Sequence, residues 1–237
     1  RHRELSERSA QLILPFIFDI CMPRRVLDVG CGHGYWLQVA KQLGVPELVG
    51  VDGEWVDPAE LVQNGIQFHY QDLLNPVDLG ERFDLVMSLE VAEHLPEERA
   101  TSFVKDLCRH ADLVYFGAAI PRQGGTHHVN EQYADFWVER FENEGFEAID
   151  IVRPRVWAHR EIGLAYRQNS ILFAKQPDAL REALVGVPRI PRSCSALVHP
   201  ELMETLSLCE PKSVDILKHN LLLPRRLLRR LSGVRHA

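Results

Sequence analysis

The chain has 237 residues, 25% of them charged and 46% hydrophobic, with a formal net charge of −6. That composition is ordinary for a soluble globular protein, and the charge gives no global reason to expect a nucleic-acid partner. No run of about 18 uncharged apolar residues occurs, so a membrane-spanning helix is excluded, and the opening Arg1-His2-Arg3-Glu4 has no apolar stretch behind it, so no signal peptide is expected.

A helix is predicted first, over Ser6–Ile20. Short apolar runs then alternate with helical stretches. Strands are predicted at Arg25–Val29, Glu47–Val51, Ile66–Tyr70, Phe83–Met87, Leu113–Ala118, Glu147–Val152 and Ser170–Lys175. Helices are predicted between them at Gly34–Leu43, Asp57–Gln63, Pro96–His110 and Glu131–Glu144. Near-continuous apolar strands such as Val26-Leu27-Asp28-Val29 read as buried on both faces. Strict alternation implies right-handed βαβ units and an α/β, doubly wound, Rossmann-like sheet. The rhythm changes at the end, where two strands are separated by Arg153–Asn169, which suits a seventh strand running antiparallel. There is no internal repeat and no low-complexity tract.

From Gln176 prolines punctuate short helical pieces, so the sheet domain is expected to span residues 1–176 and a helical extension residues 177–237. Residues 212–237 hold seven Lys/Arg against one acid, or +6, leaving 20 bases and 32 acids, or −12, in residues 1–211. Leu221 to Leu231 pairs Leu with Arg at helical spacing, as a segment lying on an anionic membrane surface does. Packing on the acidic body is the plainer alternative. Five cysteines without a CxxC pair argue against a disulfide scaffold and suit a reducing cytoplasm. The expected location is therefore cytoplasmic, with peripheral membrane contact through the tail as an option.

The first strand runs into Asp28-Val29-Gly30-Cys31-Gly32-His33-Gly34. Its glycines allow a tight turn and close approach of a ligand to backbone N–H groups at the start of a helix. The G-x-G-x-G spacing differs from the dinucleotide fingerprint, which disfavours an NAD-binding oxidoreductase. The second strand ends in Asp52, 24 residues after Asp28, where a carboxylate can take two ribose hydroxyls. Gln71-Asp72-Leu73 follows the third strand, and Ser88-Leu89-Glu90 ends the fourth. All of these fall at strand C-termini, where open α/β sheets bind ligands.

Together these stretches resemble the class I S-adenosylmethionine-dependent methyltransferases, over roughly Leu12 to Lys175. The resemblance implies a seven-stranded sheet with a reversed last strand. It implies that Gly30, Cys31, Gly32 and Gly34 line the methionine part of S-adenosylmethionine, with Asp28 near its ammonium. Asp52 would hold the ribose, Asp72 with Leu73 would frame the adenine, and Gly53 and Leu89 would be further cofactor-binding residues.

Two loops on the same rim carry the candidate chemistry, Glu90-Val91-Ala92-Glu93-His94 and Gly124 to Gln132. Three readings stand. His94 or His128, oriented by Glu93, is a general base for an acceptor hydroxyl. Alternatively Glu90, Glu93, His94 and His128 hold a divalent metal. In the third, Glu93 and His94 only cap the next helix. The string Glu-x-x-Glu-His resembles the metal-binding motif of small-RNA terminal 2′-O-methyltransferases and of ubiquinone-pathway O-methyltransferases. Asn130 reads as the N-cap of the helix over Glu131–Glu144, and Trp137 as core. Trp157, His159, Arg160, Tyr166 and Arg167 are candidates for a polar or anionic acceptor. His127 to Gln132 with Trp137 resembles methyltransferases of glycan and natural-product biosynthesis. The expected activity is O-methylation of a hydroxyl on a sugar, glycan or natural product. The alternative is a metal-dependent RNA terminal 2′-O-methyltransferase, which the acidic body disfavours.

Overall fold

The computed structural model describes residues 2–175, 185 and 189–209. Seven strands form one sheet: β1 (Arg25–Val29), β2 (Glu47–Asp52), β3 (Gln67–Tyr70), β4 (Leu85–Leu89), β5 (Leu113–Gly117), β6 (Phe146–Ile149) and β7 (Ile171–Lys175). Their order is β3-β2-β1-β4-β5-β7-β6. The first five are parallel, and β7 runs antiparallel to both of its neighbours. The α/β, doubly wound sheet with a reversed last strand is as the sequence predicts.

Eight α-helices occur among the described residues: α1 (His2–Phe18), α2 (Tyr35–Gln42), α3 (Ala59–Gln63), α4 (Glu97–His110), α5 (Ala134–Asn143), α6 (Arg153–Val156), α7 (Leu164–Asn169) and α8 (Pro200–Cys209). Side chains of a strand point alternately to its two faces, and the core divides accordingly. Val26, Leu85, Met87, Leu113, Tyr115 and Leu172 join Ile13, Leu14 and Leu37 on one face. Leu27, Val86, Val114, Phe116 and Phe173 join Phe103, Val104, Trp137 and Phe141 on the other. Trp137 is thus core, as expected.

Several boundaries move. β4 begins two residues late, because Asp84 is spent on a turn in which its carboxylate accepts Arg24 N and Arg25 N at 2.8 and 2.9 Å. β6 ends at Ile149, because Val152 starts the α6 turn. α5 starts at Ala134, with Tyr133 at its N-cap and no side-chain cap. Asn130 is therefore not the cap. Its amide N is drawn to Glu93 O and its Oδ1 accepts Gln132 Nε2, which holds this stretch as loop.

The described residues up to His199 fall in one compact unit, and α8 falls in a second. Residues 189–199 are tied to the sheet unit. Arg189 bridges to Ile149, and Ser195 O accepts the buried Arg153 guanidinium at 2.9 Å. This unit runs past the expected boundary at 176. The amphipathic tail over residues 212–237 lies outside the described residues. Among those described, no helix is long and apolar enough to cross a membrane.

The loop after β3 is fastened from α4. Arg99 donates to Leu73 O and Asn75 O, both at 3.0 Å, and pairs with Asp106, which also accepts Val77 N at 2.9 Å. Both partners are buried. Removing one member of a buried pair strands the other charge. Asp106→Ala is expected to cost about 3–5 kcal/mol in urea denaturation, and Arg99→Met with Asp106→Leu markedly less than the single change.

Candidate functional site

The parallel strands end together on one edge of the sheet. Strand order reverses between β1 and β4, and the crevice there is where α/β sheets take ligands. A cleft of about 1400 Å³ opens at this point. It is lined by Asp28, Gly30, Cys31, Gly32, Asp52, Gly53, Asp72, Leu73, Leu89, Glu90, Glu93, His94 and His128, among others. Gly34, at the start of α2, is not among the lining residues.

The glycine loop needs its glycines. Gly30 has φ +81°, and a Cβ there would lie 2.4 Å from Val91 Cγ2. At Gly34, φ +70°, a Cβ would lie 2.0 Å from Leu61 Cδ2. The Asp52 carboxylate closes the loop, accepting Gly32 N and Gly53 N, each at 2.7 Å. Burial raises the Asp52 carboxyl, and these bonds oppose the rise. Asp28 lines the cleft nearly buried, and no described side chain donates to it. Burial, then the Asp52 charge, pushes its carboxyl up to about 8. Asp72 is exposed and turns one oxygen onto Leu74 N at 2.9 Å. Cys31 is buried, its thiol raised by burial.

Across the cleft, the turn Ala92–His94 brings Glu93 and His94 against the loop after β5. Glu93 O accepts Val129 N and Asn130 N at 2.9 and 3.1 Å. Ligand atoms of Glu93, His94 and His128 lie within 4.8 Å of one another. Glu93 is fully buried, and neither of its carboxylate oxygens accepts a hydrogen bond of regular geometry. Burial and the neighbouring Glu90 charge hold its carboxyl well above the usual range. Burial, then His128, lowers the His94 pKa. Because α4 begins only at Glu97, behind Pro96, Glu93 and His94 do not cap it.

Glu90 adjoins that trio through Glu93, the two buried carboxyls lying within hydrogen-bond reach of each other. Its backbone is left-handed, φ +56°, and its oxygens accept Asn169 Nδ2 and Gln123 Nε2 at 2.8 and 3.0 Å. A further wall comes from α1 and the segment before β7. Leu5, Ser6, Leu164, Ala165 and Tyr166 line it, with Ser6 Oγ 3.2 Å from Tyr166 Oη. Of the five residues suggested for acceptor binding in that segment, Tyr166 alone faces the cleft. Arg167 is buried and spent on Ile162 O and Trp157 O, at 3.1 and 3.0 Å. Trp157 packs on His199, ring centroids 4.5 Å apart.

Sequence reasoning missed three groups. Trp55 is exposed at the cleft edge, where a Cβ on Gly32 would lie 3.7 Å from its ring, and an aromatic three residues past Asp52 was the available signal. Gln123 and Asn169 carry no such signal, because they meet Glu90 from distant elements.

A family model described as "Methyltransferase domain" matches residues 1–150. The chain belongs to this methyltransferase family. It is of the class I, S-adenosylmethionine-dependent kind. Curated relatives include the ubiquinone biosynthesis O-methyltransferases of Haemophilus ducreyi, 33% identical over 31% of this chain and 36% of the relative, and of Methylobacterium, 32% identical over 41% of each. The chain thus spans only about a third to two-fifths of the length of these relatives. Among solved structures, the S-adenosylmethionine-bound magnesium protoporphyrin IX methyltransferase of Synechocystis superposes with TM-score 0.53 at 20% identity, covering 74% of this chain and 80% of that one. The sugar N-methyltransferase KedS8 of Streptoalloteichus gives 0.56 at 14%, covering 70% and 86%. These likenesses show the fold.

The methyltransferase's own residues fit its cofactor. Asp52, engaged by Gly32 N, Gly53 N and the Trp55 side chain, keeps a lone pair for a ribose hydroxyl. The unpaired, buried Asp28 is the carboxylate an ammonium would neutralise. The Cβ-free turn at Gly30 and Gly32 leaves backbone open to the ligand.

Asp28 titrates near 4 when unfolded and near 8 when folded. The folded chain therefore holds the extra proton between those values, and its stability falls as pH rises through that window. Asp28→Asn is expected to gain on the native chain from pH 5 to pH 8, by at most about 1.4 kcal/mol per pH unit. Melting curves at several pH values check this. A constant difference across the window would show that Asp28 is not so held.

Proposed function

We propose that this methyltransferase acts on a hydroxyl oxygen of a small molecule, with sugars, glycans and hydroxylated natural products as the acceptor class. The observation that carries the reading is the Glu93, His94 and His128 trio on the rim opposite the cofactor loop. S-adenosylmethionine supplies an electrophilic methyl group, and the protein must align a nucleophile with it and dispose of the hydroxyl proton.

Glu93 supports a cation at the trio. A fully buried carboxylate with unfilled lone pairs beside two imidazoles calls for a proton or a cation. One oxygen and two nitrogens suit a divalent ion such as Mn, Zn or Mg. When bound, such an ion would lower the pKa of a coordinated hydroxyl. Glu93, His94 and His128 would hold it, and Glu90, engaged with Gln123 and Asn169, would stay outside the set.

The cleft also speaks to acceptor charge. Among the described residues its lining includes Asp28, Asp52, Glu54, Asp72, Glu90 and Glu93, and no Lys or Arg. Phosphate binding relies on Arg and Lys. This lining favours neutral or cationic acceptors and weighs against an RNA end. Leu5, Leu164 and Tyr166 offer an apolar wall for the body of a small acceptor.

Purification without chelator is expected to retain about one divalent ion per chain. Release of S-adenosylhomocysteine would be followed against a panel of hydroxylated sugars and catechols. EDTA should abolish it and Mn²⁺ restore it. His94→Ala and His128→Ala should each lower turnover by about 10²–10⁴, with S-adenosylhomocysteine affinity changed less than threefold. Full activity in EDTA would overturn the cation and leave His94 as the base.

A further inference from the structure

The loop between β5 and α5 is built around one carboxylate. Glu131 Oε1 accepts Gly124 N at 2.9 Å and is 2.9 Å from His128 Nδ1, while Oε2 accepts Arg122 N at 2.7 Å. Arg122, Gly124 and His127 in this loop all have left-handed backbones, φ +70°, +72° and +62°. Such conformations are unfavourable for Arg and His and persist where surrounding structure fixes them. Glu131 is the group that ties both arms of the loop. It is free to do so because α5 starts three residues later than its sequence suggests.

The chemistry of the pair fixes a proton. A carboxylate only accepts hydrogen bonds, so the 2.9 Å contact requires the hydrogen on His128 Nδ1. With Nδ1 spent, the atom that a neutral His128 offers to a ligand or proton is Nε2. That edge of the ring lies over Gly125, where a Cβ would be 2.1 Å from Nε2. A side chain at 125 would displace the ring.

We infer that Glu131 is the positioning residue of the active site: it holds His128 as the Nδ1–H tautomer and so presents Nε2 to the Glu93–His94 site. Glu131 touches neither cofactor nor acceptor and acts through His128. A carboxylate behind a ligating or proton-accepting imidazole fixes its tautomer and ring orientation and raises its basicity. The inference rests on the trio being the reacting site, but its central observable does not require a metal.

Long-range proton–nitrogen NMR spectra of ¹⁵N-histidine-labelled protein, with His128→Asn for assignment, read the tautomer directly. The native chain at pH 7.5 should show His128 as Nδ1–H. Glu131→Ala should move it to Nε2–H and weaken Mn²⁺ binding, measured by calorimetry, about 10- to 100-fold. Glu131→Gln keeps an oxygen acceptor, so it should preserve the tautomer and recover much of the Mn²⁺ affinity. S-adenosylhomocysteine affinity should stay within threefold in both variants. An Nε2–H ring in the native chain, or an unchanged tautomer in Glu131→Ala, would overturn the inference. Absence of Mn²⁺ binding by the native chain would overturn the cation reading alone, and the tautomer would still decide the role of Glu131.

Discussion

The site depends first on β1 being paired along both edges. Asp28 sits opposite Gly50 of β2 and Met87 of β4. Parallel ladders on both sides bring three strand ends to one level, and from that level the glycine loop, Asp52 and Glu90 all leave the sheet. The crossing point of the two half-sheets is thereby fixed as a crevice. A one-residue slip in either ladder would turn the side chains of that strand to the wrong face.

The next constraint is close backbone approach. Gly30 lies against Val91, and Gly34 against Leu61. The first contact joins the cofactor loop to the turn that presents Glu93 and His94. The Val91 side chain therefore fills the space a side chain at 30 would need. Cofactor loop and acceptor rim are in this way parts of one packed arrangement, not independent loops. Glu93 O, taking two amides from the loop after β5, extends the same arrangement to His128.

Carboxylates serve this site in different ways. Asp52 and Glu131 take backbone amides and order loops, Asp52 with capacity left for the cofactor. Glu90 is held by two side-chain amides. Asp28 and Glu93 are buried, and neither Glu93 oxygen accepts a hydrogen bond of regular geometry. That last condition is costly in an interior and is where a bound cationic group gains most. The distinction between carboxylates that order the protein and those that await a ligand follows from their hydrogen-bond partners, which residue type does not reveal.

Most of the sheet was legible from the chain alone, because short apolar runs alternating with helical stretches, and Gly-rich turns, are local signals. The strands follow from such signals, while the roles of the loops bearing Asp28, Asp52, Glu93, His94 and His128 follow from their places at strand ends and from the family resemblance. What the chain left open was set by partners distant in sequence. Asn130 reads as a helix cap until Glu93 and Gln132 claim it. Glu131 reads as the first turn of a helix until the backbone of residues 122 and 124 bends back to it. Arg167 reads as an anion binder until the carbonyls around it bury it. A residue's local propensity is written in its neighbours along the chain. Whether its last lone pair is free for chemistry is decided only when the tertiary fold has spent the others.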